Sequence, residues 1–512
     1  MSKAQSPPGV AIKVLAAIFS GVLLWLSQRA GIWGLAGWIA LAPLLCAIAD
    51  AGPAKAALLG FLAGVVAFGL AGEWTLLFGF HAWLALTSAL SLYAAGFAAI
   101  VAFARRGTAL GLIWIAPAVW ILMEWARSRF PLGGFGLAQL GYTQVDLAWG
   151  QLGVWGGGIF VSGLLLAVSG AIAELALAVR GGTVATFNGR VSGAAVVLLV
   201  VFGWVLAMQA PSTLPAGEMK IAAVQPYDVN RGLDAAEENE KFVLRRLEVD
   251  SVGLGPGNDL IVWPEASLRA SVPEADFDTA QAVERTARAT GSWILANGQP
   301  LGADGMSFMN RNYLYDPSGT LISSSDKEKL VPFGEYVPWR EFWSGWVSSI
   351  ERVPLDAIPG EYRTFHMPKG DLGTIICFES TTSEPVIRSV RDGANVVIVE
   401  TNNRSFEWSS LSRQHVTASR MRAIESGRPV IHAAISGITA FIDSDGSVLA
   451  ETALFERASI GRQVELRDGL TPYARRGDGP LVIASVIIVG IAFAGAVGRS
   501  RRGLSKELQS DH

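Results

Sequence analysis

The chain has 512 residues, of which 51% are hydrophobic and only 17% charged. A soluble globular protein carries about 25% charged residues, so this composition argues against an ordinary cytosolic enzyme. The formal net charge of −3, with no long basic run, disfavours a nucleic-acid partner, and two cysteines, Cys46 and Cys377, are too few for a disulfide framework. The charge is also unevenly spread. Residues 1–210 hold 15 charged side chains, about 7%, and residues 211–512 hold the other 70, about 23%. The first part reads as a membrane domain and the second as a soluble one.

A spanning helix needs about 20 mostly apolar residues. Segments 11–28, 31–49, 54–72, 82–104, 109–126, 154–179 and 190–209 meet this, and an eighth, 480–498, stands alone near the C-terminus. The first lacks a convincing small-residue cleavage site and further spans follow, so it reads as an uncleaved helix rather than a secretory signal. Basic residues set the expected orientation. Lys3, Lys13, Lys55, Arg105, Arg106, Arg180, Arg190, Arg499, Arg501, Arg502 and Lys506 all fall on one side of an eight-span arrangement, with Arg29, Arg127 and Arg129 as exceptions. Both termini are then cytoplasmic, and in a bacterial inner membrane residues 211–479 are periplasmic. The expected organisation is a seven-helix membrane domain over 1–210, a catalytic domain over 211–479, an eighth helix over 480–498 and a basic tail over 499–512.

Charges inside spans are costly and often functional. Glu174 is expected to pair with Arg180 at a helix end; Glu124, close to Arg127, has no such simple account. The stretch from Phe130 to Gln144, FPLGGFGLAQLGYTQ, is too irregular for a lipid-exposed span and reads as a loop against the outer membrane surface, facing the soluble domain.

From residue 219 on, short apolar runs alternate with amphipathic stretches. Expected strands are 221–224, 260–263, 293–297, 312–315, 373–378, 396–400 and 430–435, then a hairpin of 439–442 and 448–451 joined by Asp443-Ser-Asp-Gly. Helices are expected over 235–252, 274–290, 383–392 and 412–426. The alternation indicates a layered α/β domain of about 260 residues.

Three signals there could carry chemistry. In Val262-Trp263-Pro264-Glu265 a fixed-φ proline holds a carboxylate straight after a buried strand. The run Lys327-Glu328-Lys329-Leu330-Val331-Pro332-Phe333-Gly334-Glu335 is an odd composition for a simple connector. In Ile375-Ile376-Cys377-Phe378-Glu379 a cysteine ends an apolar strand. Each has a plainer reading: a solvated loop glutamate, surface lysines, an inert core thiol. Together they form a chemical set, since a carboxylate can deprotonate a thiol, the thiolate can attack a carbonyl, and an ammonium can stabilise the oxyanion. The five histidines are scattered, sit in no recognisable nucleophile motif, and are accompanied by no HExxH or CxxC, so neither a metal site nor a cofactor is expected.

The order WPE, K-x-x-LVPFGE, CFE resembles the nitrilase (carbon–nitrogen hydrolase) superfamily. With its multi-span region before that domain and a single span after it, the whole chain resembles the bacterial apolipoprotein N-acyltransferase family. The resemblance includes Glu124-Trp125, Gly141-Tyr142-Thr143-Gln144, Val224-Gln225-Pro226 and the run from Ser419 to Pro429. It implies an αββα sandwich and a ping-pong acyl transfer in which Cys377 is the nucleophile, Glu265 the general base and Lys327 the oxyanion stabiliser, with Lys329 as the rival lysine. Glu335 would orient the lysine, and Phe378 and Glu379 would shape the pocket. The implied donor is a membrane phospholipid, phosphatidylethanolamine in the family's usual case, and the implied acceptor is the α-amine of a lipoprotein's diacylglyceryl-cysteine. Three segments depart from the family pattern: Tyr227–Asp234 lacks a tryptophan, Phe135-Gly136-Leu137 stands where FPW is usual, and Asn402-Asn403-Arg404-Ser405-Phe406-Glu407 where N-D-x-W-F-G is usual. A membrane-tethered amidase acting on a periplasmic amide, or a catalytically silent lipoprotein-binding paralogue, are the alternatives. The eight-span anchor favours the transferase, because a hydrolase needs only one tether.

Overall fold

The fold was obtained as a computed structural model, and it describes residues 9–29, 31–106, 110–181, 187–227, 236–268, 277–302, 304–343, 353 and 355–510. Most of the Tyr227–Asp234 departure, the expected helix starts at 235 and 274–276 and the start of the fifth span lie outside them. The chain divides into two units, residues 1–211 with 476–512, and residues 212–475.

In the first unit, α1 (Val10–Ser27), α2 (Ala42–Ile48), α3 (Pro53–Ala71), α4 (Phe80–Ala104), α5 (Leu112–Arg127), α6 (Gly153–Arg180) and α7 (Phe187–Met208) are joined by the C-terminal helix Gly479–Ser510. Six helical segments among the described residues are long and apolar enough to cross a membrane: 10–27, 31–48, 53–71, 80–104, 148–180 and 479–499. Of the other two expected spans, α5 has 16 residues, about 24 Å at 1.5 Å per residue, and α7 runs over 22 residues, Phe187–Met208.

The second expected span is not one α-helix. Gly31–Trp38 is a 3₁₀-helix, followed after a turn by α2. Gly31, Gly34 and Gly37 recur every third residue, the 3₁₀ period. Side chains at Gly34 and Gly37 would run into Thr143 and Leu140, so the bare face lets this segment pack against the 3₁₀ turn Leu140–Gln144. That turn corrects the expectation of a surface loop. Residues Phe130 and Pro131 are exposed, but 139–145 are buried. The Glu124 carboxylate accepts the Leu140 N–H at 2.8 Å, and Ser162 Oγ accepts that of Gly141 at 2.7 Å. Arg127 donates to the carbonyls of Phe135 at 3.1 Å and Leu137 at 2.7 Å, so the FGL departure is held by its backbone. Glu174 accepts the Leu112 N–H at 2.5 Å, capping the start of α5.

One end of this unit gathers basic groups. Lys13 pairs with Asp50 at 2.5 Å, Arg105 and Arg106 donate to the carbonyls of Ala49 and Ala51, and Arg499 donates to that of Arg106. Arg129 pairs with Asp478, just ahead of the C-terminal helix, at 2.6 Å.

The second unit is an αββα sandwich. Among the described residues its strands are β1 (Leu214–Gln225), β2 (Leu260–Val262), β3 (Trp293–Gly298), β4 (Ser307–Phe308), β5 (Arg311–Tyr315), β6 (Leu321–Asp326), β7 (Asp356–Ala357), β8 (Leu372–Ile376), β9 (Val396–Thr401), β10 (Val430–Ala434), β11 (Ala440–Ile442), β12 (Val448–Glu451) and β13 (Ala458–Asp468). One sheet has the order β13-β1-β2-β3-β5-β6, the other β12-β11-β10-β9-β8, with β4 and β7 paired apart. Period-two alternation explains the layers. Ile221, Ala223, Val396 and Ile398 meet between the sheets, whereas Ala222 and Val224 face helices 236–253 and 277–290, and Val397 and Val399 face helices 383–391 and 411–426.

Strands β6 and β13 were not expected. They are edge strands of mostly polar sequence, and β13 buries only Val464 and Leu466. β8 stops at Ile376 rather than continuing to Phe378, because the Glu379 carboxylate takes the Ile376 N–H at 3.0 Å and turns the chain into a 3₁₀ turn.

Close packing of α3 on α4 rests on Gly60, where any side chain would meet the Ala94 carbonyl and the Ala98 methyl. Gly60→Leu is expected to lower the thermal unfolding midpoint of the detergent-purified protein, with a cost of about 1–3 kcal/mol for overpacking. An unchanged midpoint would contradict this packing.

Candidate active site

The site forms where strand ends of both sheets converge. β1, β2 and β3 are parallel neighbours, as are β8, β9 and β10. Glu265 lies three residues beyond the carboxyl end of β2. Antiparallel pairing of β3, β5 and β6 sets Gly298, Arg311 and Asp326 side by side, which brings Asn310 and Lys327 to the same edge. In the other sheet Cys377 directly follows β8, and Thr401 ends β9. The carboxyl ends of parallel strands are where open sheets place their ligand sites.

Lys327 is the central charge. Its side chain is fully buried, with Nζ 2.8 Å from Glu335 Oε1 and 3.6 Å from Glu265 Oε1. Burial alone would lower its pKa, but Glu335, Glu265 and Cys377 outweigh that and hold it above the usual lysine range. The ammonium therefore keeps its proton. Lys329 is placed differently: its Nζ reaches Thr382 Oγ1 at 3.3 Å and lies 5.8 Å from the centre of the Phe378 ring.

Both carboxylates beside the lysine are further fixed. Asn310 Nδ2 donates to Glu265 Oε1 at 2.8 Å and to Glu335 Oε1 at 2.9 Å. Glu265 Oε2 accepts the Asn402 N–H at 2.7 Å, and Glu335 Oε2 accepts that of Val331 at 2.8 Å, closing the Pro332-Phe333-Gly334 loop on itself. Asn310 is held in turn by Asn297, whose Nδ2 donates to Asn310 Oδ1 at 2.8 Å and to Asn312 Oδ1 at 2.7 Å. Burial raises the Glu265 pKa, opposed by Lys327 and by hydrogen bonds from Asn310 and the Cys377 thiol.

Cys377 sits at a left-handed φ of 49°, which swings its side chain away from the strand direction. Burial and the Glu265 charge push its thiol up to about 12, against Lys327 and a Thr401 hydrogen bond. The resting sulfur is thus a neutral thiol beside a carboxylate and a cation. Of the two residues expected to shape a pocket, Phe378 lies under Lys329, and Glu379 faces inward. Glu379 Oε1 accepts the N–H groups of Glu328 at 2.9 Å and Lys329 at 3.0 Å, while Oε2 accepts that of Ile376.

The structure thus brings Glu265, Lys327, Glu335 and Cys377 together and sets Lys329 aside. Sequence reasoning missed Asn297, Asn310, Thr401 and His415. The asparagines left one signal: Asn is depleted in strands, yet Asn297 and Asn312 flank two expected strands.

The sandwich falls in the carbon–nitrogen hydrolase class of domain: residues 220–468 match the family model described as Carbon-nitrogen hydrolase. An amidase of known structure from Nesterenkonia sp. aligns over 52% of this chain and 97% of its own at 20% identity, with a TM-score of 0.37. Residues 20–171 match the model described as Apolipoprotein N-acyltransferase N-terminal domain. The apolipoprotein N-acyltransferase of Geobacter metallireducens is 32% identical over 96% of this chain and 96% of its own length, and that of Methylococcus capsulatus 29% identical over 96% and 97%. The chain belongs to the apolipoprotein N-acyltransferase family.

With a thiol near 12, the thiolate fraction rises tenfold per pH unit across the neutral range. Iodoacetamide labelling of Cys377, followed site by site by mass spectrometry, is expected to be slow at pH 7 and to rise roughly a hundredfold by pH 9. A rate that levels off below pH 9 would mean an ordinary or lowered thiol.

Proposed function

We propose that this chain N-acylates lipoproteins at the membrane by a two-step transfer through Cys377. As the sulfur attacks the ester carbonyl of a phospholipid, the thiol proton passes to Glu265. Lys327 stabilises the oxyanion so formed. The C–O bond then breaks, Glu265 returns the proton to the departing alkoxide, and a lysophospholipid leaves behind a thioester on Cys377. In the second step the α-amine of a diacylglyceryl-cysteine attacks the thioester. Glu265 takes the amine proton, the C–S bond breaks, the sulfur regains a proton, and an amide is released. Atoms balance without water or a cofactor.

The observation that carries this reading is the convergence of Glu265, Lys327 and Cys377 at one strand edge, in a chain of this family whose first 210 residues are mostly apolar helices. The neutral resting thiol fits a mechanism in which Glu265 acts during the attack. Phosphatidylethanolamine is the proposed donor. Incubating the purified protein with phosphatidylethanolamine labelled in its acyl chain is expected to give a hydroxylamine-sensitive adduct on Cys377, and a diacylglyceryl peptide should discharge it as an amide. Release as free fatty acid would favour the hydrolase reading. Removing one oxyanion donor costs about 10²–10³ in rate, so Lys327→Ala should nearly abolish the adduct. Normal thioester formation in that variant would sink the assignment of Lys327.

The multi-pass chain is proposed to lie in the bacterial inner membrane with both termini cytoplasmic and residues 211–479 periplasmic. The gathering of Lys13, Arg105, Arg106 and Arg499 at one end of the helical unit supports this. A cysteine placed at the exposed turn residue Asp445 should react with an impermeant maleimide in cells with a permeabilised outer membrane; labelling only after lysis would reverse the orientation.

A further inference from the structure

Beneath Cys377 lies a buried polar group that the acyl transfer, as derived, does not use. Thr401 is fully buried, and its Oγ1 is 3.3 Å from Cys377 Sγ, 3.2 Å from the Asn403 side-chain amide and 3.4 Å from His415 Nδ1. A hydroxyl has one proton to give. Which of the three neighbours receives it is decided by the other two.

His415 Nε2 lies 2.9 Å from the Cys377 carbonyl oxygen and 2.8 Å from Ser380 Oγ, which itself donates to that carbonyl at 2.9 Å. A carbonyl can only accept, so Nε2 carries a proton. The ring is buried against His432 at a centroid distance of 4.9 Å, and burial lowers its pKa to about 4. It is neutral, this is its single proton, and Nδ1 is a bare acceptor.

Nδ1 faces the Asn403 amide at 3.3 Å. With the amide oxygen on that side, two lone pairs confront each other and the buried Nδ2 has no acceptor. The other amide orientation, oxygen and nitrogen exchanged, directs one N–H to His415 Nδ1 and one to Thr401 Oγ1, and replaces a buried unpaired donor by an acceptor. Thr401 then accepts from Asn403, and its own proton has one acceptor left: the sulfur.

We propose that Thr401 is a further catalytic residue, whose hydroxyl donates to Cys377 Sγ and stabilises the sulfur as it gains negative charge, both in the attack and when the thioester C–S bond breaks. Asn403 and His415 are positioning residues. They relay direction from the backbone carbonyl of the nucleophile itself back to its sulfur. This rests on Cys377 being the nucleophile.

The test uses the full-length protein in detergent with phosphatidylethanolamine labelled in its acyl chain, and reads the single-turnover rate of adduct formation on Cys377. Hydrogen bonds to charged groups are worth roughly ten- to a hundredfold in rate. Thr401→Val, which keeps the shape, should slow adduct formation by about that factor, and Thr401→Ser should recover most of the loss. Asn403→Leu should be slow alone yet cost little more in a Thr401→Val background, as expected of residues acting through one contact. An unchanged rate in a folded Thr401→Val protein would overturn the proposal. So would Thr401→Ser as slow as Thr401→Val, or full additivity of the Asn403 and Thr401 losses. Cys377→Ala separates the two readings: an adduct that survives it overturns the nucleophile assignment and this proposal with it, whereas its loss alongside a normal Thr401→Val rate overturns the proposal alone.

Discussion

The ammonium of Lys327 is the charge around which the catalytic edge is built. A buried cation is tolerable only when paired and hydrogen-bonded, and here two carboxylates from separate segments converge on it. Glu335 arrives on a short loop and Glu265 behind a rigid Trp-Pro, while Asn310 holds an oxygen of each. Breaking a buried pair from one side strands the other charge, typically at about 3–5 kcal/mol. The arrangement that positions Lys327, the proposed oxyanion stabiliser, is therefore also a condition for this edge to fold.

Charge placement also bears on the resting state of Cys377, the proposed nucleophile. Burial and two carboxylates outweigh one lysine and the Thr401 hydrogen bond at Cys377, so the resting thiol keeps its proton. A standing thiolate would be open to oxidation and stray electrophiles. In the proposed mechanism ionisation is reserved for the moment of attack.

Much of this was legible in the sequence for identifiable reasons. Apolar run length revealed the helical unit, and short continuous apolar runs such as Val396–Val399 revealed the inner strands, because burial on both faces leaves a dense hydrophobic record. Glu265 and Cys377 stood out because each closes or follows such a run, and Lys327 and Glu335 because they bracket a run of unusual composition, KEKLVPFGE. Polar edge strands such as Leu321–Asp326 left no comparable record. Apolar composition disguised a 3₁₀ segment over 31–38 as an ordinary span, since composition reports hydropathy but not close approach. Thr401 and His415 were invisible for another reason. Neither sits in a motif, and a contact between a strand end and a helix residue just past the first turn is a property of packing alone.

Glu265 and Glu379 also tie the two sheets to each other. Glu265 hangs from the six-stranded sheet and grips the backbone of Asn402 in the other; Glu379 follows the five-stranded sheet and grips Glu328 and Lys329 behind β6. Two carboxylates thus act as rivets across the seam, fixing how far one sheet can slide past the other at the reacting edge. A truncation such as Glu265→Ala removes a fastener along with the proposed base. The activity it loses will measure alignment and proton transfer together, and only a shape-preserving replacement such as glutamine begins to separate them.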